Sequence, residues 1–324
     1  MNAAEIHFHN QLTEDHCPTM AEEVLAGFTS KPKYCSPKYF YDQKGSVLFE
    51  KICELPEYYP TRTEEAILTR AMPEIAALAG ENATLVEFGC GASRKVRLLL
   101  ESMSVQRYLG IDISREFLLE STRRLAADYP WLEVHAACAD FTRGLALPEA
   151  IDPQRLVGFF PGSSIGNFTP DAAEGFLDSL HRLLPPGSGL LIGVDLVKDH
   201  QTLEAAYNDA DGITAEFNLN LLDRFQRELG IAFRRELFRH RAFFNAEKSR
   251  IEMHLESRIA QVLQLNGHTI RFREGESIHT ENSYKYSVPG FQRLAARAGF
   301  ASRKVWMDEH GLFSVHYLTA SPGE

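Results

Sequence analysis

The sequence predicts an α/β protein built around a parallel, doubly wound sheet, together with a smaller α+β lobe. From about Thr61 to Val197, strand signals alternate with helix signals, and the candidate strands are apolar throughout. Strands that read this way are buried on both faces, as in parallel sheets flanked by helices. Near the end of the chain, two further strands are joined only by the turn DEHG and must be antiparallel. We therefore expect the sheet to end in an antiparallel hairpin.

The strands of this sheet can be placed in order along the chain. The five candidates are TLVEFG, RYLGIDIS, LEVHAACADF, LVGFFPGSSIGN and GLLIGVDLV. Helical patterns separate them, including residues 94 to 103 and REFLLESTRRLAADYP. Another helix is expected after Thr169, which can cap it, with Pro170 at its first position. The chain then closes with FQRLAARAGF as a helix and with SRKVWM and LFSVHYLTA as the hairpin strands.

The remaining segments do not follow this alternation. Residues 215 to 229 have the pattern of an amphipathic helix that ends at Gly230. RIEMHLESRIAQVLQL, Asn266-Gly267 and HTIRFRE predict a β-hairpin. We assign residues 61–197 with 287–324 to the larger domain, and residues 1–60 with 198–286 to the smaller lobe.

Composition limits the classes of partner. The chain has 324 residues and a formal net charge of -10, which gives no electrostatic support to a nucleic-acid or anionic-membrane partner. No apolar run is long enough to span a bilayer, and MNAAEIHFHNQLTED lacks the regions of a signal peptide. The five cysteines are scattered, with no CxxC pair, which is typical of a reduced cytoplasmic protein. We expect a cytoplasmic monomer.

Two early histidines raise the question of a metal. His7 and His9 stand in a polar start, and no HExxH motif follows them. We interpret this stretch as a frayed terminus. The sequence therefore predicts no metal site.

Polar residues and a glycine fall where the predicted strands end. These are Gly89, Asp112, Asp140, Asn167 and Asp195. In open α/β sheets, ligands bind at this carboxyl edge. Gly89 and Gly91 form a GxG turn, but the third glycine of a dinucleotide fingerprint is absent. Taken alone, the turn is nearly as well explained by a simple strand-to-helix connection.

The surrounding residues indicate an adenosine-containing ligand. Asp112 stands about 20 residues after the turn, where an acid can hold a ribose diol. Asp140 could accept a hydrogen bond from the adenine amine, and Phe141 could cover the ring. NAD and S-adenosylmethionine (SAM) both fit these features. Two glycines without a pyrophosphate cradle, the antiparallel hairpin found in class I methyltransferases, and acids suited to a sulfonium all favour SAM.

Longer motifs carry a resemblance to a known family. They are KYFYDQKGSVLFEKICELPEYYPTR, LVEFGCGAS, GSSIGNFTP, GVDLVKD, YNDADGITAEFN, RIEM and TENSYKY. From about Pro37 to the last strand, the chain resembles the EgtD-like histidine Nα-methyltransferase family of ergothioneine biosynthesis. That family uses SAM to methylate the α-amine of L-histidine three times, which gives hercynine. The resemblance therefore implies a Rossmann-like class I methyltransferase sheet, with L-histidine and its mono- and dimethyl forms as substrates.

The resemblance also implies roles for individual residues. Its cofactor positions are Gly89, Lys95, Asp112, Asp140 and Phe141. Its substrate positions are Tyr58, Asn167, Tyr207, Met253, Glu281 and Ser283. Of these, Tyr58, Asn167 and Tyr207 hold the carboxylate and amine, Glu281 and Ser283 read the imidazole, and Met253 lines the pocket. Tyr41 lies near the reacting amine and, with Asn167, is expected to act in catalysis. The neighbours Tyr39 and Tyr59 remain alternatives to Tyr41 and Tyr58.

The chemistry explains why such residues are useful. The attacking amine must lose a proton before an in-line displacement, and orientation by hydroxyl and amide groups suits this better than a strong base. A carboxylate and a hydroxyl together satisfy both imidazole nitrogens. An aromatic substrate without those nitrogens would leave Glu281 unpaired, which favours histidine.

Other interpretations stay open at this stage. The same chemistry could act on another aromatic amino acid, such as a tryptophan derivative. The chain could also be a non-catalytic binder of SAM or an amino acid, or an NAD oxidoreductase. Met253 alternates with Ile251 and Leu255, which is equally typical of a core strand.

Overall fold

The chain folds into two compact units. The structure, a computed structural model, describes residues 6–11, 18–91, 94–140 and 145–322. Unit 1 comprises Met1–Thr13, Pro60–Val197 and Lys285–Glu324, and unit 2 comprises Glu14–Tyr59 and Lys198–Tyr284. These limits fall within a few residues of those expected from the sequence, except that the N-terminal segment belongs to unit 1 rather than to the smaller lobe.

The described residues form strands and helices with the following bounds. The strands are β1 Ile6–Asn10, β2 Lys33–Tyr34, β3 Ala83–Phe88, β4 Val105–Asp112, β5 Glu133–Cys138, β6 Leu156–Phe160, β7 Gly189–Asp195, β8 Phe238–Asn245, β9 Arg250–Ser257, β10 Gln261–Leu265, β11 His268–Phe272, β12 Ser277–Tyr284, β13 Phe300–Met307 and β14 Phe313–Ala320. The α-helices are α1 Met20–Thr29, α2 Gln43–Glu54, α3 Tyr59–Ala79, α4 Arg94–Leu100, α5 Arg115–Asp128, α6 Pro170–Leu183, α7 His200–Ala205, α8 Ile213–Leu229 and α9 Val288–Arg297. Short 3-10 helices span Pro37–Phe40, Ser164–Asn167 and Arg235–Leu237.

The large sheet of unit 1 has the predicted architecture. Its strand order is β1-β5-β4-β3-β6-β7-β14-β13. All neighbouring pairs from β1 to β7 are parallel, whereas β14 is antiparallel to both β7 and β13. This order and the reversed β14 are those of a class I methyltransferase sheet, so the predicted terminal hairpin is confirmed.

Apolar side chains cover both faces of this sheet, which explains the unbroken hydrophobic strands. Every residue of β3, β6 and β7 is buried. One core cluster joins the sheet to α3, α4 and α5, and a second joins it to α6 and α9. Because burying one large aliphatic side chain contributes about 1.5–3 kcal/mol, these two layers hold the strand ends in fixed positions.

The first strand corrects the sequence prediction. Residues 6–10 are not a frayed terminus: β1 pairs with β5 along its whole length, from Ile6 opposite Val134 to Asn10 opposite Cys138. The alternation in IHFH accounts for this, because strand side chains point to opposite faces in turn. Ile6 and Phe8 pack against the core, which leaves the histidines on the other face.

Unit 2 is built on a smaller, mainly antiparallel sheet. Its order is β2-β12-β9-β8, with β9 antiparallel to both β12 and β8. The amphipathic helix predicted at residues 215 to 229 is α8, which ends at the left-handed Gly230. The predicted hairpin is correct only for β10 and β11, which turn at Asn266-Gly267. RIEMHLES instead forms β9, which pairs with the preceding strand β8 and with β12.

Among the described residues, no helix combines the length and the apolar character that a membrane span requires.

Candidate active site

Hydrogen bonds connect the glycine turn after β3 to the end of β4. Gly89 and Gly91 have φ values of 71° and 45°, in the left-handed region that favours glycine. The Gly89 N–H donates to the carbonyl of Ile111 at 2.8 Å, and the Cys90 N–H donates to the same oxygen at 3.2 Å. Gly91 donates to Asp112 Oδ2 at 3.4 Å. The turn and the acid predicted to hold a ribose therefore lie side by side.

Asp112 is held by backbone groups at the carboxyl end of β4. Its Oδ1 accepts a hydrogen bond from the Ser114 N–H at 2.9 Å. Enclosure by protein raises the pKa of Asp112, and the N–H groups of Ser114, Gly91 and Ile113 offset part of this rise. The result is an oriented acceptor group at the place where the sequence predicts the cofactor diol.

Asp140 lies at the next strand end. The pairing of β4 with β5 puts Asp112 opposite Cys138, and the Ala139 N–H donates to the Asp112 carbonyl at 3.1 Å. Asp140 follows directly and is half-buried. The structure thus brings the two predicted acids to neighbouring strand ends. Phe141 lies outside the described residues, so its role over the adenine ring stays a prediction.

Lys95 is engaged by a buried carboxylate that sequence reasoning missed. Its Nζ forms an ion pair with Glu64, whose side chain is only 1% exposed. The Glu64 carboxylate also accepts the Gly162 N–H, at 2.8 Å to Oε2. A Cβ at Gly193 would lie 1.9 Å from Glu64 Oε1, so a glycine is required there. Glu64 therefore positions Lys95 beside the turn after β6.

A sequence signal for Glu64 does exist. In α3 it stands in register with Ile67, Leu68 and Ala71, which all belong to the core. Positions i, i+3, i+4 and i+7 share one face of a helix. A glutamate on such an apolar stripe is expected to be paired with a cation or a hydrogen-bond donor, because burying an unpaired charge costs free energy.

Asn167 ends the short helix Ser164–Asn167 that follows β6. The turn that precedes it is left-handed at Gly162 and at Ser163, with φ values of 79° and 57°. Ser163 Oγ accepts the N–H of Asp195 at 2.9 Å, which ties the turn to the end of β7. The carboxylate of Asp195 pairs with Lys285 at 2.6 Å, and both side chains are almost fully buried. Asn167 itself is half-buried and so stays accessible on an anchored turn.

In unit 2, the predicted tyrosines gather around Tyr58. The Tyr58 ring lies 6.2 Å from that of Tyr207 and 6.3 Å from that of Phe49, edge to face. Tyr41 packs on Phe49 at 5.7 Å. Burial first, and then the neighbouring groups of Tyr207, Cys53, Glu281 and Tyr41, raise the pKa of Tyr58 well above its usual value. Its hydroxyl therefore keeps its proton at neutral pH and serves as a hydrogen-bonding group.

The alternative tyrosines are used elsewhere in the same unit. Tyr59 accepts a hydrogen bond from Lys198 Nζ at 2.5 Å, and the ammonium lies 4.4 Å from its ring centroid. Tyr39 donates to Glu23 Oε2 at 2.6 Å. Tyr58 and Tyr41 stay the predicted site residues of each pair.

Three further predicted residues share one face of the small sheet. Glu281 stands opposite Met253, and Ser283 stands opposite Ile251, in the pairing of β12 with β9. Residues directly opposite each other and residues two apart point to the same face. Tyr207 donates its hydroxyl hydrogen to Ser283 Oγ at 2.7 Å, so this face meets the tyrosine cluster. Met253 is 1% exposed and adds an apolar side chain to this face.

Sequence reasoning missed the residues that shape this cluster. Phe49 and Cys53 stand at i and i+4 in α2, and Phe217 of α8 packs against both Phe49 and Tyr41. Phe49 thus contacts both Tyr41 and Tyr58, and Cys53 lies near Tyr58. Aromatic side chains beside the hydroxyl groups of Tyr58 and Tyr207 suit a small ligand with an aromatic, hydrogen-bonding ring.

Comparison with known proteins agrees with these features. The family described as histidine-specific, SAM-dependent methyltransferase matches residues 20–320. A histidine N-alpha-methyltransferase of Mycolicibacterium smegmatis is 41% identical over 302 residues, which cover 91% of this chain and 93% of that protein. A protein of the same description from Mycobacterium tuberculosis is 38% identical, over 94% of this chain and 97% of its own. Ergothioneine biosynthesis protein 1 of Neurospora crassa is 32% identical, over 92% of this chain and 35% of its own length.

The match extends over both units and over every motif that carries the candidate site. The strand order of the large sheet agrees with it. The chain belongs to the family of histidine-specific, SAM-dependent methyltransferases.

Proposed function

We propose that this protein transfers methyl groups from SAM to the α-amine of L-histidine, three times in succession, to form hercynine for ergothioneine biosynthesis. The observation that carries the proposal is the convergence of Glu281, Ser283, Tyr207 and Tyr58 within unit 2. These residues combine the groups needed to read an imidazole with those needed to hold an amino acid. The relatives' names support the same substrate.

The carboxyl edge of the large sheet provides the cofactor position. Asp112 can accept from the ribose hydroxyls, and Asp140 can accept from the adenine amine. The left-handed turn at Gly89 lets the backbone approach the ligand closely. Lys95, held by Glu64, supplies a positive charge suited to the carboxylate of the methionine portion. When bound, SAM provides an electrophilic methyl group on a sulfonium.

Two residues, one a hydrogen-bond acceptor and one a donor, recognise the imidazole in this proposal. Glu281 can accept a hydrogen bond from the protonated ring nitrogen. Ser283 already accepts a bond from Tyr207, so its own hydroxyl hydrogen can be donated to the other ring nitrogen. A tryptophan-like ring has no acceptor nitrogen for Ser283, and a phenyl ring would satisfy neither residue. This difference favours histidine over the tryptophan-derivative alternative.

The amine end is oriented by groups that carry no net charge. Because Tyr58 keeps its proton, it can hold the substrate carboxylate or amine but cannot remove a proton as a phenolate. Tyr41 and Asn167 present oxygen dipoles, which stabilise a positive charge that spreads during transfer. The amine proton passes to solvent before each attack. Orientation is therefore the main contribution of these residues.

Three successive transfers are compatible with one binding mode. The contacts of Glu281 and Ser283 involve the imidazole, which methylation of the α-amine leaves unchanged. The mono- and dimethyl forms can therefore be held by the same pair. We further propose that the enzyme acts as a cytoplasmic monomer without a nucleic-acid partner, which its net charge of -10 and scattered cysteines support. Methyl transfer itself is proposed to need no metal ion.

One assay tests the proposal. The purified chain is incubated with SAM and each of the twenty amino acids, and the products are identified by mass spectrometry. We expect up to three added methyl groups on histidine and none on the others. Methylation of tryptophan without histidine would favour the rival substrate class. Histidine binding without release of S-adenosylhomocysteine would instead indicate a non-catalytic binder.

A further inference from the structure

The exposed edge of the large sheet carries a cluster of histidines that the methyltransferase function does not use. His7 and His9 of β1 lie on the face opposite Ile6 and Phe8, and His7 pairs directly with His135 of β5. Glu133 precedes His135 by two residues and so points to the same face. Parallel pairing of two strands thus brings three imidazoles and one carboxylate together.

The distances within this cluster are short. His135 Nε2 lies 2.9 Å from Glu133 Oε1, and His135 Nδ1 lies 3.1 Å from His9 Nε2. The rings of His7 and His135 stack with centroids 4.7 Å apart. One ligand atom from each of His7, Glu133 and His135 can be chosen so that all lie within 4.8 Å of one another. His135 is 1% exposed, whereas His7 is exposed and can adjust its ring.

These groups match the requirements of a zinc ion. Zinc takes imidazole nitrogens and carboxylate oxygens at about 2.0–2.2 Å, so its tetrahedral ligand atoms lie ~3.3 Å apart. The pair His135 Nε2 and Glu133 Oε1 is already near that spacing. Arg107 Nε occupies the other Glu133 oxygen, at 2.8 Å, which orients Oε1 toward the cluster.

His9 fits the role of an outer partner. A metal-bound histidine usually donates its second ring N–H to a neighbouring acceptor, which fixes its tautomer. If His135 Nε2 binds a metal, its Nδ1–H faces His9 Nε2 at 3.1 Å. His9 can accept this hydrogen bond without any rearrangement of the strands.

We propose that His7, His135 and Glu133 form a Zn(II) site, with His9 as the hydrogen-bonding partner of His135. The ion would link the edge strand β1 to β5, the strand that leads to Asp140. Its role is to hold β1 in the sheet, because His135 lies three residues before the end of β5 and outside the proposed transfer site. The prediction of no metal rested on a frayed terminus and on the absence of an HExxH motif, and the observed strand removes the first of these grounds.

A second histidine cluster shows why the first one is distinctive. Glu252, His254 and His279 also lie within 4.8 Å of one another on the small sheet. There, however, Arg250 and Asn245 both donate to Glu252 Oε1, and His254 bonds to Glu252 and Ser277 through its two nitrogens. His279 Nε2 in turn faces the Glu281 carbonyl at 3.0 Å, so all three side chains of this cluster already have hydrogen-bond partners. We expect this cluster to be structural.

The test uses the untagged full-length chain, first stripped of metal with a chelator. Co(II) serves as a coloured substitute for Zn(II), and its binding is followed by visible absorption and by competition with Zn(II). We expect one ion per chain, and a rise in the melting temperature of about 5 °C at zinc concentrations well above Kd. The His9→Gln variant should bind ~10–100-fold more weakly, as is typical for the loss of an outer-shell partner. His7→Gln, at an exposed position, should lose at least as much.

The matched control is His310→Gln, an exposed histidine of the same unit. It should keep the wild-type affinity and the zinc-dependent melting shift. Equal affinity of His7→Gln and wild type would overturn the proposed ligands. Metal binding without any rise in melting temperature would overturn the proposed role in holding β1.

Discussion

The two sheets of this protein carry their candidate functional residues in different places. In the eight-stranded sheet, Asp112 and Asp140 follow the strands, at the edge where parallel strands end. In the four-stranded sheet, Met253, Glu281 and Ser283 lie within the strands, on one face. A parallel sheet buried on both faces has only its ends available for ligands. An antiparallel sheet can instead devote a whole face to a ligand. We call the strand ends with Asp112 and Asp140 the proposed cofactor edge, and the face with Glu281 and Ser283 the proposed substrate face.

The substrate face is tested most severely at Glu281. The Glu281→Ala variant removes the acceptor for the imidazole N–H, and we expect kcat/KM for histidine to fall about 10³-fold or more. Most of the change should appear in KM for histidine, with SAM affinity retained. Steady-state kinetics with both substrates measures this, with the exposed Glu309→Ala as a control. An unchanged KM and unchanged selectivity would contradict the assignment of the imidazole pocket.

Glu87 provides the counterpart in the large sheet, a glutamate buried within a strand. Tyr108 donates to its carboxylate at 2.6 Å, yet burial raises the pKa of Glu87 to about 8. At pH values between the pKa near 4.5 of the unfolded chain and the higher pKa of the folded protein, the folded state holds the proton more tightly. The free energy of unfolding therefore falls as pH rises through this range. In Glu87→Gln this pH-dependent loss of stability should disappear. The free energy of unfolding of the variant should therefore exceed that of wild type by up to a few kcal/mol, and this difference should grow from pH 5 to 8.

Chemical denaturation of both proteins across that pH range measures the difference. The exposed Glu149→Gln variant controls for the substitution itself. If the free energies of unfolding of wild type and Glu87→Gln change with pH in parallel, Glu87 is not protonated in the folded protein, contrary to our expectation.

The cofactor edge is tested at Asp112. The Asp112→Asn variant keeps an oxygen that can accept the Ser114 N–H but removes the charge. A hydrogen bond to a charged group contributes about 1.5–3 kcal/mol, so SAM should bind ~10–100-fold more weakly. Calorimetry should show this loss while histidine affinity is retained. Full SAM affinity in Asp112→Asn would place the cofactor elsewhere.

Ser283 gives the smallest expected effect and the finest test of the face. Ser283→Ala removes one neutral hydrogen bond to the ligand, so kcat/KM for histidine should fall about tenfold. Ser277→Ala changes the same strand on the opposite face, where Ser277 contacts His254. Kinetics should separate the two variants. Equal effects of the two substitutions would contradict the proposal that histidine binds to the face that carries Ser283.

The large sheet could be predicted because its signals are local. Apolar runs, the Thr169 cap and the DEHG turn each lie within a few residues, and they place Asp112 and Asp140 correctly at strand ends. The strand β1 was missed because IHFH is short and its partner, β5, is about 130 residues away. Pairing over such distances leaves no mark in local periodicity.

The small sheet shows the same limit more strongly. No local pattern links β9 to β12 or shows that Glu281 and Met253 face the same side; only the family motifs suggested it. Glu64 was recognisable in principle from its place on the apolar stripe of α3, but its partners, Lys95 and Gly162, come from other elements. Turn and helix signals thus identify elements, while partners across elements require the structure.

The central claim is that adenosine binds at the strand-end acids and the imidazole binds on the small sheet's face. A crystal structure of the chain with S-adenosylhomocysteine and L-histidine tests both parts at once. We predict ribose hydroxyls within about 2.5–3.2 Å of Asp112, and imidazole nitrogens at similar distances from Glu281 and Ser283. An imidazole bound away from Glu281, or a ribose bound away from Asp112, would contradict the account.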